Sequence, residues 1–138
     1  MGERKRVYAQ DTTVPAYRSQ NEVRDMLNSM GAHRFALMEA EGQVLMRFHI
    51  EDTIYQIDRP DLPDIPGKST DQKERAAWRA LVLLVKAKKV AIEQGITTVE
   101  REFMADTVLP NGARLIDYRS QIIDHEYGNG PPRLGFEQ

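Results

Sequence analysis

The stretch Ser69-Thr70-Asp71-Gln72-Lys73-Glu74-Arg75-Ala76-Ala77-Trp78-Arg79-Ala80-Leu81-Val82-Leu83-Leu84-Val85-Lys86-Ala87-Lys88-Lys89-Val90-Ala91-Ile92-Glu93-Gln94-Gly95 reads as one long helix. It opens on hydroxyl and acidic residues that accept bonds from free N-terminal amides. It contains no Pro and no internal Gly, and Gly95 stands where a left-handed C-terminal cap is wanted. At about 100° per residue, Trp78, Leu81, Val85, Ile92, Leu84, Ala77 and Ala91 cover a wide apolar arc. Ala80, Leu83, Ala87 and Val90 add smaller groups round the far side, and Lys88 falls within the arc. One narrow strip is charged: Arg75, Arg79, Lys86 and Lys89, with Glu93 at its end. A helix so apolar round its circumference calls for cover on more than one side.

The segments before it change rhythm. Ser19-Gln20-Asn21-Glu22 has the form of a capping box, followed by Val23, Met26, Leu27 and Met30 at helical spacing and a stop at Gly31. Three strand-length runs follow, His33 to Ala40, Gln43 to Ile50 and Thr53 to Asp58, separated by Glu41-Gly42 and Glu51-Asp52. In the middle run Val44, Met46, Phe48 and Ile50 alternate with Gln43, Leu45, Arg47 and His49, so one face meets the core and the other carries Arg47 and His49. Residues 59–69 hold three Pro and a Gly and are a loop. After Gly95, Thr97-Thr98-Val99-Glu100 offers a second capping box for a short helix over residues 98–106, with Phe103 and Met104 facing inward. Val108-Leu109-Pro110-Asn111-Gly112 is a turn, and Leu115 to Tyr127 has helical phase.

These readings combine into a single α+β domain over residues 1–138. An N-terminal helix and a three-stranded antiparallel meander precede the long central helix, which packs on the sheet. Two short C-terminal helices close the helix's far side, unless a second copy of the chain does so in a homodimer. Residues 1–15 are expected as a flexible arm and 128–138 as a tail. The length of 138 residues supports one domain with its own core.

Charge and composition narrow the function. The formal net charge of −2 gives no global attraction to nucleic acid or an anionic membrane, so any basic surface must be local. The chain has no Cys, which removes disulfides, thiol nucleophiles and thiolate metal sites and fits a reducing, cytoplasmic setting. No apolar signal core follows the N-terminus, and the longest apolar run, Ala80 to Val85, is too short to span a bilayer. His33, His49 and His125 lack metal-ligand spacing, and Asp58, Asp61 and Asp64 lie on a Pro-rich loop without the Gly-punctuated turn of a calcium site. His49 stands near Glu51 and Asp52, but no nucleophile, oxyanion cradle or Gly-rich phosphate loop accompanies them. No metal, cofactor or catalytic residue is expected. Phe35, Phe48 and Tyr55 lie on strands, where aromatics either stack bases or fill the core; the alternation assigns Phe48 to the core.

The remaining lead is the basic strip. Arg75, Arg79, Lys86 and Lys89 lie along one line of the helix and can follow a row of phosphates, with Arg47 and the arm's Arg4, Lys5 and Arg6 as helpers. The order helix, three strands, helix is shared with the double-stranded-RNA-binding domain. That family sets its lysines at the start of its last helix, whereas Lys86, Lys88 and Lys89 fall in the later half here.

A set of motifs occurs in order from Trp78 to Pro132: Trp-Arg-Ala-Leu-x-Leu-x-x-Lys-Ala-Lys (Trp78 to Lys88), Ile-Thr-Thr-x-Glu-x-Glu-Phe (Ile96 to Phe103), Val-Leu-Pro-Asn-Gly (Val108 to Gly112), Gln121-Ile122 and Gly-x-x-Pro-Pro (Gly128 to Pro132). Together they resemble a family of small uncharacterised proteins encoded by bacteriophages and prophages. The resemblance implies a phage setting and a role inside the infected bacterial cell, and it assigns no activity and no site residue. Three classes of function are open: a non-catalytic accessory protein binding DNA or RNA through the strip, a counter-defence protein that binds a host protein or sequesters a signalling nucleotide, and a small enzyme on a nucleotide-like substrate.

Overall fold

The computed structural model describes residues 7–135. Helix α1 (Ala16–Ser29) leads into strands β1 (Ala32–Ala40), β2 (Gln43–Ile50) and β3 (Thr53–Asp58), and the long helix α2 (Thr70–Glu93) follows. One-turn helix α3 (Val99–Glu102), 3-10 turns at Met104–Asp106 and Leu115–Tyr118, and α4 (Arg119–Glu126) complete the chain. The sheet is an antiparallel meander in the order β1-β2-β3, as the alternating runs predict.

Strand β2 supplies the sheet's buried face through Val44, Met46, Phe48 and Ile50. α1 and α2 lie together on that face, α1 contributing Val23 and Leu27 and α2 contributing Trp78, Leu81, Val82 and Val85. The pairing of β1 with β2 shifts between His33 and Ala36, so Arg34 and Phe35 together oppose Phe48. Arg34 takes φ 55° there, a left-handed conformation at a bulge that lets Phe35 turn back onto Phe48, 6.4 Å between ring centroids. Phe48 and Tyr55 are both buried, so these aromatics are core residues rather than a base-stacking platform.

The ends of α2 follow the sequence reading. The Ser69 hydroxyl accepts from the Gln72 amide at 3.1 Å, and Gly95 takes φ 73° just beyond the C-terminus.

The start of α1 does not follow it. The helix begins at Ala16 behind Pro15, and Ser19 sits inside it, buried with its hydroxyl unpartnered. Pro15 supplies the fixed φ, −61°, that suits a helix entry. Ser19 then falls in line with Val23 and Leu27 at four-residue intervals, facing the core as a small residue.

The expected arm is described from Val7 onward, and that part lies against α2. Val7 packs with Ile65 of the Pro-rich loop and with Ala76, while the Gln72 side-chain amide donates to the carbonyls of Gln10 and Thr12 at 2.9 and 2.7 Å. Arg4, Lys5 and Arg6 lie outside the described residues.

The C-terminal part departs most from expectation. The helix expected over 98–106 is one turn capped by Thr98, whose hydroxyl accepts from the Arg101 amide at 3.2 Å, followed by a 3-10 turn. Phe103 is fully buried against Phe48 and Tyr55, but Met104 is 56% exposed. A helix of several turns would put both side chains on one broad face; the change to 3-10 geometry at residue 104 turns Met104 outward. Val108 to Arg114 form a tight hairpin on the edge of β3, through bridges Tyr55–Thr107 and Val108–Arg114 and the Val108 amide donating to the Ile54 carbonyl at 2.8 Å. α4 buries none of its residues. The two C-terminal helices therefore leave the far side of α2 open, and Leu83, Leu84 and Val90 remain about half exposed, at 49, 50 and 48%.

Candidate nucleic-acid interface

The strip on α2 runs along its boundary with α1. Arg79, Lys86 and Lys89 line one groove of about 390 Å³ between the two helices, with Glu22, Asp25 and Met26 of α1 on its other wall. Arg75 lies a turn further toward the N-terminus and outside that groove; its guanidinium donates to the Gln72 side chain at 2.8 and 3.2 Å. Arg79 is ion-paired with Glu22 at 3.0 Å, and Lys89 with Glu93, one turn on, at 2.6 Å. Lys86 is exposed, and none of the described residues pairs with it. The strip is thus a row of four cations of which three have neighbouring acceptors. Both ion pairs are partly exposed, the acids more than the cations, and pairs open to solvent contribute only about 0–1 kcal/mol each.

Arg47 does not join the row. Strand alternation places it on the sheet face opposite the helices, where it donates to Gln56 at 3.0 Å and to the Gly112 carbonyl at 3.3 Å. Its role there is to hold the 108–114 hairpin to the sheet. Lys88, the cation within the apolar arc, donates to the Glu102 carbonyl at 2.6 Å and stands over the Phe103 ring at 5.3 Å. It closes the C-terminal end of α3.

Two polar centres were not legible in the sequence. Arg114 pairs with Asp58 at 2.8 Å and with Asp106 at 3.5 Å, and Gln56 links Asp58 to Arg47. Burial pushes the Asp106 carboxyl above its ordinary value; Arg114 and Lys88 oppose the shift and Asp58 adds to it. Arg59 is the second centre: it pairs with Glu74, which also accepts from the Trp78 indole at 3.0 Å, and it donates to the Gly42 carbonyl at 3.2 Å. A cleft of about 600 Å³ lies between these centres. Glu41, Asp58 and Asp61 line it together with Arg59 and Arg114, so its carboxylates outnumber its guanidiniums and an anionic nucleotide is poorly matched to it.

Strand register brings His33 and His49 side by side, 5.6 Å between ring centroids. Among the described residues no three His, Asp or Glu side chains converge as a metal site needs. No helix among them is long and apolar enough to cross a membrane. Set against known proteins, the chain matches no family model, no curated protein and no solved structure.

Proposed function

We propose that the protein is a non-catalytic accessory protein that binds nucleic acid along the α1–α2 face, in the bacteriophage setting that its motifs resemble and inside the bacterial host cell. The observation that supports the reading is the alignment of Arg79, Lys86 and Lys89 along one groove, with Arg75 continuing the line. Cations in a row along a helix can follow a run of phosphates and carry no base information, so the binding is of the backbone kind. The net charge of −2 makes this affinity local and salt-sensitive.

The test is a fluorescence-anisotropy titration with single- and double-stranded DNA and RNA at about 50 and 200 mM salt. Four released counterions on duplex DNA predict a loss of about 100-fold between those salts. Micromolar binding with that dependence, abolished when Arg75, Arg79, Lys86 and Lys89 are changed together to Glu, supports the reading. Absence of binding at 50 mM, or binding unchanged by the charge reversal, refutes it and leaves a host-protein partner as the next reading.

A further inference from the structure

The side of α2 turned away from the sheet carries Ala80, Leu83, Ala87 and Val90, spaced three, four and three residues apart. That is the 3.5-residue repeat of a helix that packs against another helix along its length. Leu84 and Ala91 widen the stripe on one flank. Leu83, Leu84 and Val90 are half exposed and Ala87 is exposed. Ala76 continues the same line but is covered by Val7 and Ile65, so the open seam starts at Ala80.

We propose that a second copy of this chain docks on this seam with its α2 running antiparallel. Two features point to a copy of the same helix. The first is size. Antiparallel meeting about a two-fold axis near Val85 sets Leu83 against Ala87 of the partner subunit and Val90 against Ala80 of the partner subunit, so every layer joins a large side chain to a small one. A parallel pair stacks Ala on Ala and Leu on Leu, leaving gaps that cost packing energy. The second is charge. The flank beside α1 carries Arg79, Lys86 and Glu93 in that order. Antiparallel meeting sets Arg79 opposite Glu93 of the partner subunit at both ends, and only the central Lys86 meets its own kind. A parallel pair faces this flank with Leu84 and Ala91 and gives Arg79 and Glu93 no opposite charge across the seam, beyond the Glu22 and Lys89 they already meet within the chain.

The seam from Ala80 to Val90 is about 15 Å long, so the interface falls at the small end of specific contacts, near or below about 1,200 Å². The dimer is accordingly of micromolar strength. Antiparallel pairing also sets both α2 flanks on one side of the helix pair, bringing Lys86 and Lys89 of the two copies together at its centre. Any use of that cluster rests on the nucleic-acid reading above; the dimer itself does not.

The experiment is sedimentation equilibrium of the nucleic-acid-free protein from about 1 to 200 µM. The expected result is a mass rising from monomer to dimer, with Leu83→Glu and Val90→Glu each holding the chain monomeric while matching the wild-type thermal midpoint at about 1 µM, the dilute end where the dimer adds least. The chain has no Cys, so introduced thiols report orientation: an Arg79→Cys and Glu93→Cys mixture joins through a short bis-maleimide, while Arg79→Cys alone does not. A monomer throughout the range, a dimer indifferent to both Glu substitutions, or cross-linking of Arg79→Cys to itself overturns the proposal. Because no nucleic acid is present, failure here leaves the nucleic-acid titration to stand or fall separately.

Discussion

Phe103 is the side chain that fastens the C-terminal third of the chain to the core, and Phe103→Ala measures that fastening. Its ring is fully buried, edge-on to Phe48 at 5.7 Å and beside Tyr55 at 5.8 Å, with the Lys88 ammonium over it. Truncating a buried Phe to Ala costs about 3–5 kcal/mol through lost transfer energy and the cavity left behind. The two aromatic contacts, at about 0.5–1.5 kcal/mol each beyond burial, place this site in the upper half of that range. For a chain of this size, about 4 kcal/mol lowers the melting midpoint by about 12–16 °C. Urea unfolding followed by Trp78 emission is the direct assay, since Trp78 is the single Trp of the chain and is buried in the same core. Met104→Ala is the control: its side chain is mostly exposed, and a change within about 0.5 kcal/mol is expected. A Phe103→Ala loss below about 1.5 kcal/mol, or an equal loss at Met104, refutes the assignment of Phe103 as anchor.

Two further outcomes test the polar assignments. Ser69→Ala removes a working helix cap and should cost about 1 kcal/mol in urea unfolding, whereas Ser19→Ala removes a buried, unpartnered hydroxyl and should be neutral or stabilising. A loss above about 1 kcal/mol at Ser19 contradicts the helix start at Ala16. For Asp106, a carboxyl ¹³C titration should give a midpoint above the ordinary Asp value, the direction set by burial. A raised folded pKa means the fold favours the protonated form. The associated stability is full below the unfolded value and is lost as pH rises through the folded one. Wild type should therefore gain on Asp106→Asn as pH falls through that window, and a midpoint at or below the ordinary value counts against the site.

The alternation Val44, Met46, Phe48, Ile50 and the unbroken run from Thr70 to Glu93 were readable because helical and strand periods are local properties of the chain. So were the Ser69 and Gly95 caps, which act within a few residues of themselves, whereas the box read at Thr97 to Glu100 falls one residue early, Thr98 being the cap and Thr97 donating to Glu102. Ser19 shows where that logic ends: its capping-box pattern with Glu22 was sound locally, yet Pro15 starts the helix and Glu22 turns to Arg79, 57 residues away.

Sequence alone thus determined the element types, their order and the line of cations on α2, since each depends on neighbours along the chain. Tertiary structure decided which of those side chains find partners. It buried Phe103 and exposed Met104, drew Arg47 to the far face of the sheet, and joined Arg114 to Asp58 and Asp106. It also left the Leu83–Val90 side of α2 open. Burial and charge pairing depend on groups distant in sequence, and no local period encodes which distant surface arrives.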